Sequence, residues 1–165
     1  MEIFKVNGTV NKKRLAIGVL IPVVGGALVG YYANKDTQAQ YKKLKKPAFS
    51  PPPRVFPIAW TSLYSMMGLA QYRAYEKVDT SQIEATVLTP YSIQLGLNFL
   101  WSFLFFKWNL RGAALLEIGM MMAAIGWSAT QFYKVDRLAG ALMLPYLGWV
   151  GFASTLNYSI WKLNR

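Results

Sequence analysis

Charged residues in this chain gather in short clusters separated by long charge-free runs. Residues 15–34, 55–72, 85–106 and 138–161 contain no charge, and 112–133 contain one acid, Glu117. A bilayer core about 30 Å thick is crossed by roughly 20 apolar residues at 1.5 Å rise each, and all five runs reach about that length. The pattern predicts helices over about 15–33, 55–75, 84–106, 112–133 and 138–161. The connections after the second, third and fourth are short, so neighbouring helices run antiparallel in one compact bundle. Five is an odd number, which places the termini on opposite sides. The first connection, about 34–54, is the only long one. It ends in KKPAFSPPPRVFPIAW, where Pro47, Pro51, Pro52 and Pro53 precede the helix start. Proline fixes φ and lacks an amide donor, so this stretch is a stiff loop that delivers the chain to a position where proline is tolerated.

Composition sharpens this picture. Hydrophobic residues make up 54% and charged residues 15%, and mean hydropathy is +0.24. Five charge-free runs in 165 residues do not fit a water-soluble core, and the sequence predicts one all-α, multi-pass membrane domain over 1–165. Lys12-Lys13-Arg14 before the first run has the look of a secretory signal, but no small-x-small cleavage site follows, so the run reads as a retained helix. The net charge of +11 sits in the connections, where topology and anionic headgroups place it, rather than in a nucleic-acid surface. Lys and Arg number ten on the side of the first loop and C-terminus against eight on the other, which leans toward a cytoplasmic first loop. The chain has neither cysteine nor histidine, so disulfides, thiol chemistry, the commonest general base and the commonest transition-metal ligand are all missing. No metal site and no obligatory cofactor are expected.

Helical spacing gathers the candidate chemistry. Trp60, Tyr64, Met67 and Gln71 share one face of the second predicted helix. Gln94, Asn98 and Trp101 share one of the third, and Pro145, Trp149, Ala153 and Leu156 one of the fifth. Amides in a membrane must face other helices or a cavity, so Gln94 and Asn98 point inward. They either bond neighbouring helices or, beside Trp60, Trp101 and Trp149, line a pocket for a flat apolar ligand with a few polar atoms. Trp108 and Trp161 lie at segment ends and fit an interfacial belt. Glu117, about 9 Å along the axis from Arg111, is expected to reach the interface or pair with a basic side chain. Gly26-Ala-Leu-Val-Gly30 is a small-xxx-small motif that packs the first helix either within the bundle or against a second copy. Leu156, Tyr158 and Lys162 match a permissive sterol-contact pattern.

These residues resemble the translocator protein family, also called TspO/MBR or tryptophan-rich sensory proteins. The resemblance runs from about Tyr41 to the C-terminus. It is carried by Lys46-Pro47 with Pro51-Pro52, by Phe56-Pro-Ile-Ala-Trp60, by Leu63-Tyr64-x-x-Met67-Gly68, by Gln94-Leu-x-x-Asn98-x-x-Trp101, and by Pro145-Tyr146-Leu147-x-Trp149-x-x-Phe152-Ala153-x-x-Leu156-Asn157-Tyr158. It implies a five-helix bundle, usually a homodimer, whose cavity is closed by the first loop. It also implies binding of porphyrins such as protoporphyrin IX, of sterols and of benzodiazepine-type drugs. The implied pocket contains Tyr41, Pro51, Phe56, Trp60, Tyr64, Gln94, Asn98, Trp101, Trp149, Ala153 and Leu156. The sequence departs from the family pattern at Gln40, Phe49 and Ala113; the first two stand where the family's loop has tryptophan, and Ala113 where its animal members do.

Three functions follow as expectations. The first is a membrane receptor or sensor for a tetrapyrrole or similar hydrophobic ligand, in a bacterial cell membrane or an organelle membrane. The second is light-dependent oxidative degradation of the porphyrin, which needs no general base and for which the resemblance implicates Trp60 and Trp149. The third is a porphyrin or sterol transporter, against which stand the lack of an inverted repeat and of paired mid-span charges.

Overall fold

A computed structural model of the protein describes residues 2–35 and 37–165. Helix α1 covers Lys12–Asn34 and opens on Asn11, whose side chain accepts the Arg14 amide proton. Helix α2, Gln38–Lys43, lies in the first connection, and α3 is Val55–Lys77. The next helical path starts with a π-helical stretch at Glu84–Leu88, continues as α4 (Thr89–Ser102) and ends in a second π-helical stretch at Phe103–Lys107. Helix α5 is Arg111–Val135; α6 (Arg137–Leu142) and α7 (Leu144–Leu163) follow. Met143 separates α6 from α7. Pro145 is the cause: it has no amide to bond the carbonyl four residues back.

The predicted segments and the observed helices differ in number as well as at their ends: α2 lies within the predicted first loop, and the predicted fifth segment is divided at Met143 into α6 and α7. Lys12, Arg111 and Arg137 are helical, because a long basic side chain can reach headgroup level from the last turn of a span. Among the described residues, three stretches are long and apolar enough to cross a membrane by length and composition: Lys12–Asn34, Arg111–Val135 and Arg137–Leu163. Among the described residues the protein contains no β-strand; its only bridge pairs Val6 with Thr9.

Helix α1 docks on α3 through glycine. A methyl group on Gly68 would strike the Gly18 backbone, and one on Gly26 would enter the Tyr64 ring. Gly30 faces open space. The small-xxx-small motif is therefore half used, and its Gly26 packs within the chain. The outer face of α1, with Ile17, Leu20, Ile21, Val24 and Leu28, is exposed, as suits a lipid-facing surface.

The two ends of the bundle are closed by different segments. At one end lies the N-terminal stretch, folded back by a tight turn at Asn7 and Gly8, both with positive φ. It inserts Val6 into the main core. Arg73 holds it by donating from Nη1 to the carbonyls of Ile3 (2.6 Å) and Lys5 (3.0 Å). The Tyr72 hydroxyl accepts from the Asn11 amide at 3.0 Å. From Nη2, Arg73 bonds Asp136 at 2.8 Å, and Lys77 reaches the same oxygen at 2.9 Å. The other Asp136 oxygen caps α6 by accepting the amides of Leu138 and Ala139. Burial pushes the Asp136 carboxyl up, but Lys77, the Ala139 amide and Arg73 outweigh it and hold the group below the usual carboxylate range. At the opposite end, the Asn164 side chain bonds the Lys45 backbone in both directions, at 3.0 and 2.9 Å. The first connection and the C-terminus are thus fastened together.

Two outcomes are expected. Arg73→Met leaves Asp136 without its buried partner, and should cost about 3–5 kcal/mol and accelerate hydrogen exchange at Val6 and Thr9; unchanged exchange there would show that the pair does not hold the segment. Because the Asp136 pKa is lowered on folding, its contribution is present above the ordinary carboxylate range and is lost as pH falls below it. Asp136→Asn should therefore flatten that acid limb of the stability curve in thermal melts between neutral and acid pH.

Candidate functional site

Three helices, α3, α4 and α7, build an aromatic wall around the predicted residues. On α3, Trp60 and Tyr64 are one turn apart and stack at 5.5 Å between centroids, 28° between planes. Trp149 on α7 meets Trp60 edge-on at 6.4 Å and 84°. Phe56 lies against Trp149 at 6.1 Å, and Phe152 at 5.5 Å. Phe99 on α4 abuts Tyr64 at 6.3 Å. Ala153 packs partly buried beside this wall. Offset and edge-on contacts of this kind are favourable beyond the area they bury.

A file of polar groups runs through the interior next to the wall. The Tyr64 hydroxyl donates to Asn98 Oδ1 at 2.6 Å, joining α3 to α4. Asn98 Nδ2 and the Tyr146 hydroxyl both approach the sulfur of Met121, at 3.9 and 3.6 Å. Trp101 Nε1 donates to Asn157 Oδ1 at 3.3 Å, and Asn157 in turn donates to the Arg111 carbonyl at 2.9 Å. Gln94 is 0% exposed, yet neither its amide oxygen nor its nitrogen has a partner. Asn98 thus serves as interhelical glue, and Gln94 does not.

Glu117 overturns its expectation. It is 2% exposed, it makes no ion pair among the described residues, and neither carboxylate oxygen has a hydrogen-bond partner. The reason is helical phase. Six residues turn the helix through about 600°, so Arg111 and Glu117 leave α5 on different faces. Arg111 instead donates to Asn109 Oδ1 at 2.7 Å. Glu117 belongs to the inward stripe of α5 with Ala114, Ile118 and Met121.

The first connection packs over one end of this assembly. Tyr41 on α2 lies edge-on to Phe106 at 5.4 Å and Phe105 at 6.3 Å, and Lys46 sets its ammonium 4.2 Å above the Tyr41 ring. Trp101 stacks on Phe105 at 5.1 Å. Phe49, the departure from the loop tryptophan, contacts Phe152 at 6.3 Å. Gln40, the other loop departure, accepts from Asn109 at 3.2 Å. Pro51 is partly buried in the loop just before α3.

Some residues grouped by the sequence stand apart. Pro145 is exposed, and the inward stripe of α7 is Tyr146, Val150, Leu156, Asn157 and Ile160; Trp149 and Ala153 flank it. Leu156 is buried with Phe105 and Ala114, whereas Tyr158 and Lys162 are exposed, one turn apart with the ammonium 6.0 Å from the ring. Two residues on a helix are about 200° apart, so Leu156 does not share a contact face with the other two. Tyr146 and Asn157 stand in the family pattern but not among the pocket residues it implies, and Met121 stands in neither. Tyr146, three residues before Trp149, carried the periodic signal that would have found it.

Two hollows lie outside the wall. One of about 310 Å³ is lined by Asn109, Arg111, Trp161 and Arg165 among others, and one of about 550 Å³ by Thr80, Glu84, Thr89 and Ser92 among others. Among the described residues no group of three or more Asp or Glu side chains is placed to hold a metal ion.

Comparison with known proteins agrees with this anatomy. A sequence profile of the TspO/MBR family matches residues 18–162. The chain is 37% identical over 156 residues to the tryptophan-rich protein TspO of Archaeoglobus fulgidus, covering 93% of this chain and 99% of that one. It is 36% identical over 152 residues to the translocator protein of Sus scrofa, covering 91% and 90%. With the tryptophan-rich sensory protein of Cereibacter sphaeroides it shares 37% identity over 124 residues, covering 75% and 76%. The chain belongs to the TspO/MBR family and is an integral membrane protein.

Proposed function

We propose that this chain crosses the membrane five times and binds a flat, largely apolar ligand of the tetrapyrrole class between α3, α4, α5 and α7. The five crossings are α1, α3, the helical path from Glu84 to Lys107, α5, and α6 with α7. The first connection serves as the lid. One observation carries the reading: the tryptophan wall of Trp60 and Trp149 is joined through Tyr64 to Asn98 on α4, and one turn from Asn98 the fully buried amide of Gln94 has no partner among the described residues. Aromatic packing alone requires no such amide, and a buried polar group without a partner costs about 1–3 kcal/mol. A ligand that stacks on indole while offering polar atoms at its edge meets both features. Its carboxylates lie toward Lys45, Lys46 and Arg54 in the lid. Entry parts rings that now touch one another, and Phe49 and Phe152 are the first pair in the way.

The test is a titration of the purified protein in lipid nanodiscs with protoporphyrin IX. Saturable quenching of tryptophan fluorescence and a shifted Soret band are expected. Trp60→Phe with Trp149→Phe should weaken binding, read from the Soret shift, about tenfold, or ~1.4 kcal/mol. Quenching that never saturates, or an affinity unmoved by the double substitution, refutes the proposal.

A second reading, light-dependent oxidation of the bound porphyrin, draws support from the direct contact of Trp60 with Trp149, which places two oxidisable indoles together. Illumination of the aerobic complex should then give a new absorbing species, absent from the double variant. Bleaching at the rate of free porphyrin leaves binding as the whole function.

A further inference from the structure

We infer that Glu117 is a recognition point for a cationic or strongly donating nitrogen on the ligand, seated inside the bundle one turn of α5 from Met121. The inference rests on the binding site proposed above and adds the polarity its occupant must carry.

Three observations lead there. Glu117 is 2% exposed, and both carboxylate oxygens are buried without a partner. Its own stripe has little to donate: Ala114, Ile118 and Met121 share it, and Tyr146, near enough to feel its charge, directs its hydroxyl to the Met121 sulfur. Asn98, facing the same sulfur, uses its oxygen on Tyr64. The nearest cation in sequence, Arg111, leaves α5 on a different face and donates to Asn109. Other basic side chains lie in the connections and helix ends, bonded elsewhere in several cases: Arg14 to Glu76, Arg73 and Lys77 to Asp136.

The location ties this carboxylate to the aromatic wall. Tyr146 touches Trp60 edge-on at 6.3 Å, and Trp60 touches Trp149. A ligand stacked on these indoles therefore has Glu117 at its edge, across Tyr146 and Met121. A carboxylate in an apolar interior is costly as an anion unless a cation or several donors face it. In its neutral form the acid still leaves a donor and an acceptor unmatched. An N–H⁺ group answers both problems, because a charge-assisted bond is roughly twice as strong as a neutral one. An anionic or purely accepting edge at this depth would be repelled. The propionate-type groups of a ligand then belong at the lysine-rich lid, and the donor edge at Glu117, which fixes the orientation of the bound molecule.

Pyrene probes of one size separate this inference from the reading beneath it. The full chain, in phosphatidylcholine nanodiscs without net charge, is titrated with 1-pyrenemethylamine and with 1-pyrenemethanol, following energy transfer from tryptophan to pyrene. The wild type should bind the amine at least tenfold more tightly than the alcohol, and Glu117→Gln should erase the preference while holding the alcohol within about twofold. The amine should raise the melting temperature of the wild type more than that of the variant. Equal affinities in the wild type, or a preference that survives Glu117→Gln, each overturn the inference. The wild-type comparison decides the matter even if the variant does not fold. Where protoporphyrin IX binds but the amine gains nothing, only the cation site falls; where neither binds, the binding site falls with it.

Discussion

Within a bilayer every polar group must find its partner inside the protein, because no water is there to take its place. That constraint organises the bundle. Tyr64 and Asn98 satisfy each other across α3 and α4, Trp101 and Asn157 across α4 and α7, and Asn157 reaches on to the backbone where α5 begins. Each of these bonds fixes the rotation of two helices about their axes, which apolar side chains against lipid tails do only through shape. The same rule makes the exceptions informative. Gln94, Glu117 and the Tyr91 hydroxyl are buried without a partner among the described residues, and Gln94 and Glu117 lie on the inward stripes of α4 and α5 that carry Asn98 and Met121.

Outside the bilayer the problem is inverted, and the ends of the bundle are sealed by charge. Arg73 and Asp136 form an ion pair with side-chain exposures of 8% and 2%. It is affordable because five further hydrogen bonds and Lys77 surround it: two to the N-terminal carbonyls, two from the α6 amides, and the Asn11–Tyr72 bond that fixes the same segment. The opposite end is tied more lightly, by the Asn164 amide on the Lys45 backbone and by Lys46 over Tyr41. An assembly fastened by a buried ion pair at one end and by exposed bonds at the other opens at the second first. This asymmetry favours the side of the first connection for entry of a ligand.

The helices were legible because charge-free length is a strong signal; their ends were not, because Lys12, Arg111 and Arg137 are charged and helical together. Faces were legible where two polar residues shared one, as Gln94 and Asn98 do. They were misread where the marker was a proline. Pro145 starts α7 and points outward, so the inward stripe lies one residue on, at Tyr146. The folded N-terminal segment left only one trace in the sequence, the Asn7-Gly8 pair typical of tight turns, and its anchor, Arg73, looked like an ordinary connection residue. The Trp60 and Trp149 neighbourhood was expected from the family pattern, while the supporting contacts of Met121, Tyr146 and Asn157 depend on interhelical geometry that spacing within one helix does not carry.

Glu117 shows how the two kinds of information combine. Sequence distance suggested a partner in Arg111, yet six residues of helical rotation leave their directions about 120° apart, and the pairing fails on phase alone. Once that partner is removed, other donors are found directed elsewhere: Asn98 Nδ2 and the Tyr146 hydroxyl at the Met121 sulfur, Arg73 and Lys77 at Asp136. A group so placed either weakens the fold for no return or meets something that arrives from outside. Glu117 lies near Tyr146, which touches the family's aromatic wall at Trp60, and the unsatisfied amide of Gln94 lies one turn of α4 from Asn98, which bonds Tyr64 of the same wall. The most economical account of all three is a ligand whose faces are apolar and whose edge carries donors.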